Sequence, residues 1–193
     1  MTTIILARHG ETDWNAELRF QGHADPPLNA AGRSQAVALA ATLAKARVAA
    51  VYSSDLQRAA ETARIAADRV GLSVVETPGL REIDVGEWSG LTVDEVIDRF
   101  PDGYRRHRDG GDGWTDGETH EELTSRIVRT VVEIAAAHPD DTILVVAHGA
   151  ALRALLAYAD GIPLSEFRRT RPPIQNGSLA MIAVEDGIVR RLD

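Results

Sequence analysis

The chain has 193 residues, 44% of them hydrophobic, a formal net charge of −8 and no cysteine. Its length fits one domain with a sizeable core, and the acidic balance argues against general binding to nucleic acid or to anionic membranes, which require a broad basic surface. The lack of cysteine excludes disulfides, thiolate catalysis and cysteine-rich zinc sites.

The chain begins with a short apolar run. Residues 3–7 are rich in isoleucine and bounded by polar residues, which predicts a buried strand. The run is too short for a secretory signal, and no stretch of the chain approaches the roughly 18 apolar residues of a membrane span. We therefore expect a cytoplasmic protein without a membrane partner.

A helix and a second strand are predicted next. Asn29 is the expected N-cap of an alanine-rich helix that reaches about Ala46, because asparagine side chains accept hydrogen bonds from free backbone N–H groups at helix starts. Residues 48–52 are again mostly apolar and predict a strand.

A second helix and a third strand follow. Asp55 is the expected N-cap of a helix over residues 56–70, and Gly71 stands where a helix-ending glycine is typical. Residues 73–76 predict the third strand.

Two capping boxes mark helices in the second half of the chain. Thr92 with Glu95, and Thr119 with Glu122, form Thr-x-x-Glu patterns in which each side chain bonds to the backbone of the other residue. The first helix is expected to end before Pro101, and the second near residue 138. The other predicted elements are a loop over 101–117, a helix over 150–158, and strands over 142–147, 178–184 and 188–190.

The alternation of strands and helices predicts an α/β fold, a three-layer α/β/α sandwich with a mostly parallel central sheet. Ligands of open α/β sheets bind beyond the carboxyl ends of the strands. The residues that directly follow the strands are therefore the first candidates for a site.

Basic side chains follow three of the predicted strands. Arg8 and His9 follow the first strand, Arg58 lies in the first turn of the helix after the second, and His148 follows the strand over 142–147. Any one of them alone is more often structural, but their joint placement brings two histidines and two arginines to one edge of the sheet. Guanidinium groups and helix N-termini bind phosphate oxygens, and nearby cations lower the basicity of an imidazole so that its nitrogen is free to attack. The set predicts a phosphoryl-transfer site.

At this point the sequence resembles the histidine phosphatase superfamily, the phosphoglycerate-mutase-like proteins. The resemblance covers positions 8 to 149 in family order and is carried by residues 8–15 (RHGETDWN), 21–22 (QG), 25–28 (DPPL), 53–59 (SSDLQRA), 80–86 (LREIDVG), 117–119 (GET) and 146–149 (VAHG). It implies one histidine phosphatase domain over residues 1–193, with a loop and helix insertion at about 87–118 over the active site.

The resemblance also implies roles for single residues. His9 is the expected nucleophile, and Glu82 the expected proton donor to the leaving oxygen and base toward water. Three further side chains are expected to hold the phosphoryl oxygens, namely Arg8, Arg58 and His148. The expected substrate-binding residues are Asn15, Gln21, Gly22 and Gly149.

These residues predict a metal-independent phosphomonoesterase that acts through a phosphohistidine on a small phosphorylated metabolite, with no metal and no cofactor. A metal site at His9, His148 and Glu82 is disfavoured because Arg8 and Arg58 would repel the cation.

A phosphoglycerate mutase is the alternative. Mutases resembling this chain are usually longer and tend to have Arg-His-Tyr-Gly after the catalytic glutamate, where this chain has Ile83-Asp84-Val85-Gly86. A phosphate-binding module without activity is a weaker alternative, since the five expected catalytic residues are all present. The substrate itself, among phosphoglycerate derivatives, phosphoserine, sugar phosphates and a nucleotide-loop phosphate, stays open.

Two further features leave alternatives open. Arg105, Arg106 and Arg108 either form a solvated loop surface balanced by neighbouring aspartates or recognise a carboxylate or second phosphate of the substrate. The apolar strand near residues 179–184 either lies at a sheet edge, where it would pair across a homodimer, or is covered by the final hairpin.

Overall fold

In the computed structural model, which describes residues 1–43 and 45–192, six strands form one sheet in the order β3-β2-β4-β1-β5-β6. The strands are β1 (Thr2–Arg8), β2 (Ala50–Ser53), β3 (Val74–Glu76), β4 (Thr142–Ala147), β5 (Leu179–Glu185) and β6 (Ile188–Leu192). The helices are α1 (Asp13–Ala16), α2 (Ala30–Leu43), α3 (Gln57–Asp68), α4 (Val93–Arg99), α5 (Pro101–Arg108), α6 (His120–Ala136), α7 (Gly149–Ala159) and α8 (Leu164–Thr170). Short 3₁₀ turns lie at Pro78–Leu80 and Gly86–Trp88.

The sheet is mostly parallel, as predicted. β1, β2, β3 and β4 run parallel to one another, and β5 runs antiparallel to both of its neighbours, β1 and β6. The β5–β6 turn passes through Asp186 and Gly187, both with positive φ. β5 pairs with β1 on one side and β6 on the other, so the alternative in which the final hairpin covers this strand is correct.

Alternating side chains of the central strands form two apolar layers. Ile4 and Leu6 of β1 belong to the layer packed under α6 and α7, whereas Ile5 and Ala7 belong to the layer under α2 and α3. Because successive strand residues point to opposite faces, a wholly apolar strand is stable only when helices cover both faces. This is the predicted three-layer α/β/α sandwich.

Local signals placed most helix boundaries correctly. The boxes Thr92–Glu95 and Thr119–Glu122 are both formed at the starts of α4 and α6. The Asn29 side chain accepts from the Gly32 N–H at the start of α2, as predicted. The last described residue of α2 is Leu43; Ala44 lies outside the described residues, and 45–47 form a turn, so the prediction that the helix reaches about residue 46 was too long.

The predicted N-cap at Asp55 is wrong. α3 begins at Gln57, and its first N–H donates to the carboxylate of Asp25 at 2.6 Å, a residue 32 positions earlier in the chain. The Asp55 carboxylate is instead held by Arg81, whose Nε lies 2.8 Å away. A long-range ion pair has replaced the local cap.

The predicted loop over residues 101–117 is wrong in its first half, which is α5. Pro101 occupies the first helical position, where its missing N–H costs nothing, and basic residues in the last turn suit the negative end of the helix dipole. His107 of α5 also packs its ring against Trp88, with ring centroids 5.5 Å apart. α1 and α8 were not predicted either.

Within residues 1–43 and 45–192, no helix is both long enough and apolar enough to cross a bilayer. Asp193, the last residue of the expected domain, lies outside the described residues.

Candidate active site

Three parallel strands deliver four basic side chains to one edge of the sheet. Arg8 ends β1 and His9 follows it, Arg58 is the second residue of α3 after β2, and His148 is the N-cap of α7 after β4. The rings of His9 and His148 have centroids 5.0 Å apart. The predicted convergence of these four residues is present in the structure.

His9 is oriented for attack through one ring nitrogen. Its Nδ1 donates to the carbonyl oxygen of Gly10 at 2.6 Å, which leaves the lone pair on Nε2. Burial, followed by the charges of Arg58 and Arg8, holds the pKa of His9 well below its usual value. The imidazole is therefore neutral and nucleophilic at neutral pH.

His148 is fully buried beside His9. Neither of its ring nitrogens has a hydrogen-bond partner among residues 1–43 and 45–192. Burial and the nearby Arg58 charge hold its pKa well below the usual value. A buried polar group without a partner is costly, and it marks a place where a ligand oxygen is accommodated.

The two arginines are held by backbone carbonyls and not by carboxylates. Arg58 donates to the carbonyl oxygens of Ala24 and Gly22 at 2.7 and 2.9 Å, and Arg8 donates to that of Ile174 at 2.6 Å. In the part of the chain that the structure describes, neither forms an ion pair within 4.0 Å, and the Nε of each is buried without a partner. Burial lowers the pKa of Arg58 to about 10, so it is still a cation at neutral pH. Both charges remain available to an anion.

Glu82 does not follow a strand directly; its carboxylate is positioned by a contact with the start of α7. It follows the 3₁₀ turn after β3, and its carboxylate accepts from the N–H groups of Ala150 and Ala151 at the start of α7, both at 3.1 Å. A third backbone N–H, that of Ile83, donates to it at 3.0 Å. These donors orient the carboxylate toward the N-terminal end of α7, the same end that carries His148.

A cavity of about 280 Å³ is lined by four of these five residues; the fifth, His148, is fully buried next to His9 and is not part of the lining. The lining includes Arg8, His9, Arg58 and Glu82, together with all four predicted substrate-binding residues, Asn15, Gln21, Gly22 and Gly149.

Gly22 occupies a position that excludes a side chain. Its φ is +51°, and a Cβ there would lie 2.7 Å from a methyl group of Val85. Its carbonyl oxygen thereby stays in place to accept from Arg58.

Several supporting residues were not found from the sequence. Asn176 donates to the carbonyl oxygen of His9 at 3.0 Å and lies 3.3 Å from Oδ1 of Asn15, and Thr62 accepts from the N–H of Gly10 at 3.0 Å. Nothing in their local sequence distinguishes them, because their partners are distant along the chain.

Arg126 of α6 holds the segment that carries Glu82. It donates to the carbonyl oxygens of Gly79 and Arg81, each at 3.0 Å, and of Glu82 at 3.2 Å. Its guanidinium also binds both carboxylate oxygens of Glu118, at 2.7 and 2.6 Å. Sequence reasoning missed this support as well.

The arginine cluster of α5 does not reach the cavity. Arg105 and Arg108 are solvent-exposed beside Asp102 and Asp109, and Arg106 bonds to backbone carbonyls of the following loop. The alternative of a solvated surface balanced by aspartates is therefore correct. The outer cavity wall is instead lined by other cations, Arg19, Arg153 and Arg168.

Comparisons with known proteins agree with this geometry. The family model of the histidine phosphatase superfamily, branch 1, matches residues 4–190. Phosphoserine phosphatase 1 of Hydrogenobacter thermophilus is 35% identical over 86% of this chain and 80% of its own length. A probable phosphoglycerate mutase of an Enterobacter species is 36% identical over 96% and 86%. The solved structure of YhfR from Bacillus stearothermophilus superposes with a TM-score of 0.93 at 33% identity, covering 99% of this chain and 95% of that one. The chain belongs to the histidine phosphatase superfamily, branch 1.

Proposed function

We propose that the protein is a metal-independent phosphomonoesterase that hydrolyses a small phosphate ester through a phosphorylated His9. The observation that carries the proposal is the neutral His9 ring, with its Nε2 lone pair free, in a cavity shared with two buried guanidiniums. Among residues 1–43 and 45–192 these guanidiniums bind backbone carbonyls and no carboxylate. A nucleophile beside uncompensated cations suits attack on a dianion, because the cations neutralise the substrate's charge without protonating the nucleophile.

In the first step Nε2 of His9 attacks phosphorus and the ester P–O bond breaks. Arg8, Arg58 and His148 hold the non-bridging oxygens, with Asn15 as an additional donor. Glu82, in its protonated form, transfers its proton to the leaving oxygen, so that an alcohol departs in place of an alkoxide. This step yields a phosphohistidine and a Glu82 carboxylate.

In the second step water attacks the phosphohistidine. Glu82 accepts a proton from the water, the N–P bond breaks, and inorganic phosphate leaves while His9 regains its lone pair. Protons and electron pairs balance over the two steps without a cofactor or a metal.

One feature of the sequence favours hydrolysis over mutase chemistry. The chain has Ile83-Asp84-Val85-Gly86 after Glu82 in place of the basic sequence typical of mutases. A phosphatase and a probable phosphoglycerate mutase are both among the relatives that match most of this chain, so the assay below measures both reactions.

The proposal extends to the setting of the enzyme. Residues 1–193 form one histidine phosphatase domain, in which the segment 87–118 is an insertion that contributes His107 and Trp114 to the cavity wall. Its net charge of −8 supports an enzyme that acts on small molecules and not on nucleic acid, and we propose that it works in the cytoplasm.

The test is phosphate release from a panel of phosphomonoesters in the presence of a chelator. The panel includes phosphoserine and 3-phosphoglycerate, the latter with and without 2,3-bisphosphoglycerate, and formation of 2-phosphoglycerate is measured in parallel. His9→Ala should lose roughly 10³-fold or more in turnover. His138→Gln is the matched control, because His138 bonds to Tyr52 away from the cavity and its replacement should leave turnover unchanged.

Each outcome separates the proposed mechanism from an alternative. Phosphate release that is abolished in His9→Ala and insensitive to the chelator supports the proposal, as does acid-labile ³²P incorporated only into protein that retains His9. Isomerisation without phosphate release would show a mutase. Loss of activity in the chelator, or equal activity in His9→Ala, contradicts the mechanism.

A further inference from the structure

The outer wall of the cavity carries two arginines that form no ion pair with any residue the structure describes. Arg153 of α7 and Arg168 of α8 both line the cavity. Within the described part of the chain neither forms an ion pair within 4.0 Å, whereas Arg19, the other arginine of this wall, pairs with Glu17 and Glu95. Among the described residues, no salt bridge explains why these two cations are kept at the cavity wall.

Arg168 is held in place by neutral histidines. It donates from Nη1 to Nε2 of His120 at 2.9 Å, and its Nη2 lies 3.0 Å from Nε2 of His107 and 3.1 Å from that residue's carbonyl oxygen. His120 donates from Nδ1 to Asp112, which fixes the tautomer that accepts from Arg168. Burial and the Arg168 charge lower the pKa of His107 to about 3, so this ring adds no charge at neutral pH. The guanidinium is oriented while its charge is left largely uncompensated.

Arg153 is fixed in a similar way. Its Nη2 donates to the carbonyl oxygens of Arg168 and Arg171 at 2.9 and 3.2 Å, and its Nε is buried without a partner in the described residues. Burial lowers the pKa of both guanidiniums, and the pKa of Arg168 is lowered further by the charge of Arg153, against a smaller raising effect of Asp112. Two half-buried like charges cost free energy unless an anion binds between them.

We propose that Arg153 and Arg168 bind a second anionic group of the substrate. This inference rests on the proposed function and narrows its substrate class to small phosphate esters that also carry a carboxylate or a second phosphate. α7 links the two ends of the site, because it begins with Gly149 beside Arg8 and reaches Arg153 four residues later, about 6 Å along the helix axis. That spacing suits an anion a few bonds away from the reacting phosphoryl group.

The experiment compares substrates that differ in one group. For wild type we expect kcat/KM for 3-phosphoglycerate to exceed that for glycerol 3-phosphate, in which a hydroxymethyl group replaces the carboxylate. Arg168→Gln should reduce this ratio by roughly 10- to 100-fold, the loss expected for one charge-assisted hydrogen bond, and Arg153→Gln should reduce it as well. Including 2,3-bisphosphoglycerate shows whether a carboxylate or a second phosphate is preferred. Arg169→Gln, an exposed neighbour on the same helix, should leave the ratio unchanged.

The same comparison is made by binding, which separates this inference from the proposed function. Calorimetry with His9→Ala, and with His9→Ala combined with Arg168→Gln, gives dissociation constants for the two compounds without turnover. A preference for the carboxylate compound that disappears with Arg168 supports the anion site even if hydrolysis is not observed. The proposal is overturned if, with both arginines present, neither 3-phosphoglycerate nor 2,3-bisphosphoglycerate is preferred over glycerol 3-phosphate. It is also overturned if Arg168→Gln and Arg153→Gln both leave such a preference intact.

Discussion

The support of the Glu82 segment by Arg126 leads to a quantitative prediction. Replacing Arg126 with methionine removes the donor to three carbonyl oxygens in the segment 79–82 and leaves the Glu118 carboxylate without its partner. The volume of the side chain is largely kept, so the main change is the loss of charge and hydrogen bonds. Both stability and the position of Glu82 should respond.

The expected loss of stability depends on how deeply the Arg126–Glu118 ion pair is buried. Removing one partner of a buried ion pair costs about 3–5 kcal/mol. The Arg126 and Glu118 side chains keep 20% and 15% of their accessible surface. We therefore expect a loss near the lower end, about 3 kcal/mol in the free energy of unfolding. A shift of Glu82 by about 1 Å would reduce kcat by roughly 10²-fold, with a smaller effect on KM.

The assay is urea denaturation together with steady-state kinetics. Arg129→Met is the control, because Arg129 is exposed on the same helix and its loss should change stability by less than about 0.5 kcal/mol. In the Arg126→Met background, Glu118→Gln should restore part of the stability by removing the uncompensated charge. Stability within about 1 kcal/mol of wild type in Arg126→Met, with kcat unchanged, would refute the reasoning.

Two further predictions concern Glu82 and His107. The leaving group of p-nitrophenyl phosphate needs no acid, so with this substrate Glu82→Gln should release one equivalent of nitrophenol in a burst and then turn over slowly. With an alkyl phosphate, the rate of the first step should itself fall by roughly 10²- to 10⁴-fold. Equal losses of rate on both substrates in stopped-flow measurements would argue against the acid role. The pKa of His107 is about 3 in the folded protein, against a usual value of 6.5, so protonation of this ring favours the unfolded chain. The free energy of unfolding should therefore be unaffected by His107 above pH 6.5 and should fall as the pH drops below 6.5. His107 alone should lower the free energy of unfolding by roughly 2 kcal/mol at pH 5. His107→Gln should flatten the pH dependence of this free energy between pH 7 and 5, and an unchanged slope would contradict the prediction.

The best-predicted parts of the fold are those in which local sequence and tertiary environment agree. The strand predicted over 142–147 coincides with β4, because a run of apolar, largely β-branched residues is stable only between two covering helix layers. The capping boxes at Thr92 and Thr119 were also predicted correctly, since both partners lie within four residues of each other.

The failures occur where a distant residue competes with a local signal. Asp55 has the chemistry of an N-cap, but Arg81 binds it more strongly and Asp25 takes over the helix N-terminus. α5 was missed because its glycine and charged residues are typical of loops, while the packing of His107 against Trp88 that favours the helix is a contact between distant parts of the chain.

The sequence by itself determined the layered α/β fold, the edge of the sheet where His9, Arg8, Arg58 and His148 meet, and the family to which the chain belongs. Those properties depend on periodicity, on strand ends and on short motifs, all of which are local. Only the tertiary structure decided that Arg153 and Arg168, not the α5 arginines, line the outer cavity, and that α7 and Arg126 orient Glu82. The physical reason is that charge compensation and hydrogen bonding act between atoms close in space, whatever their separation along the chain.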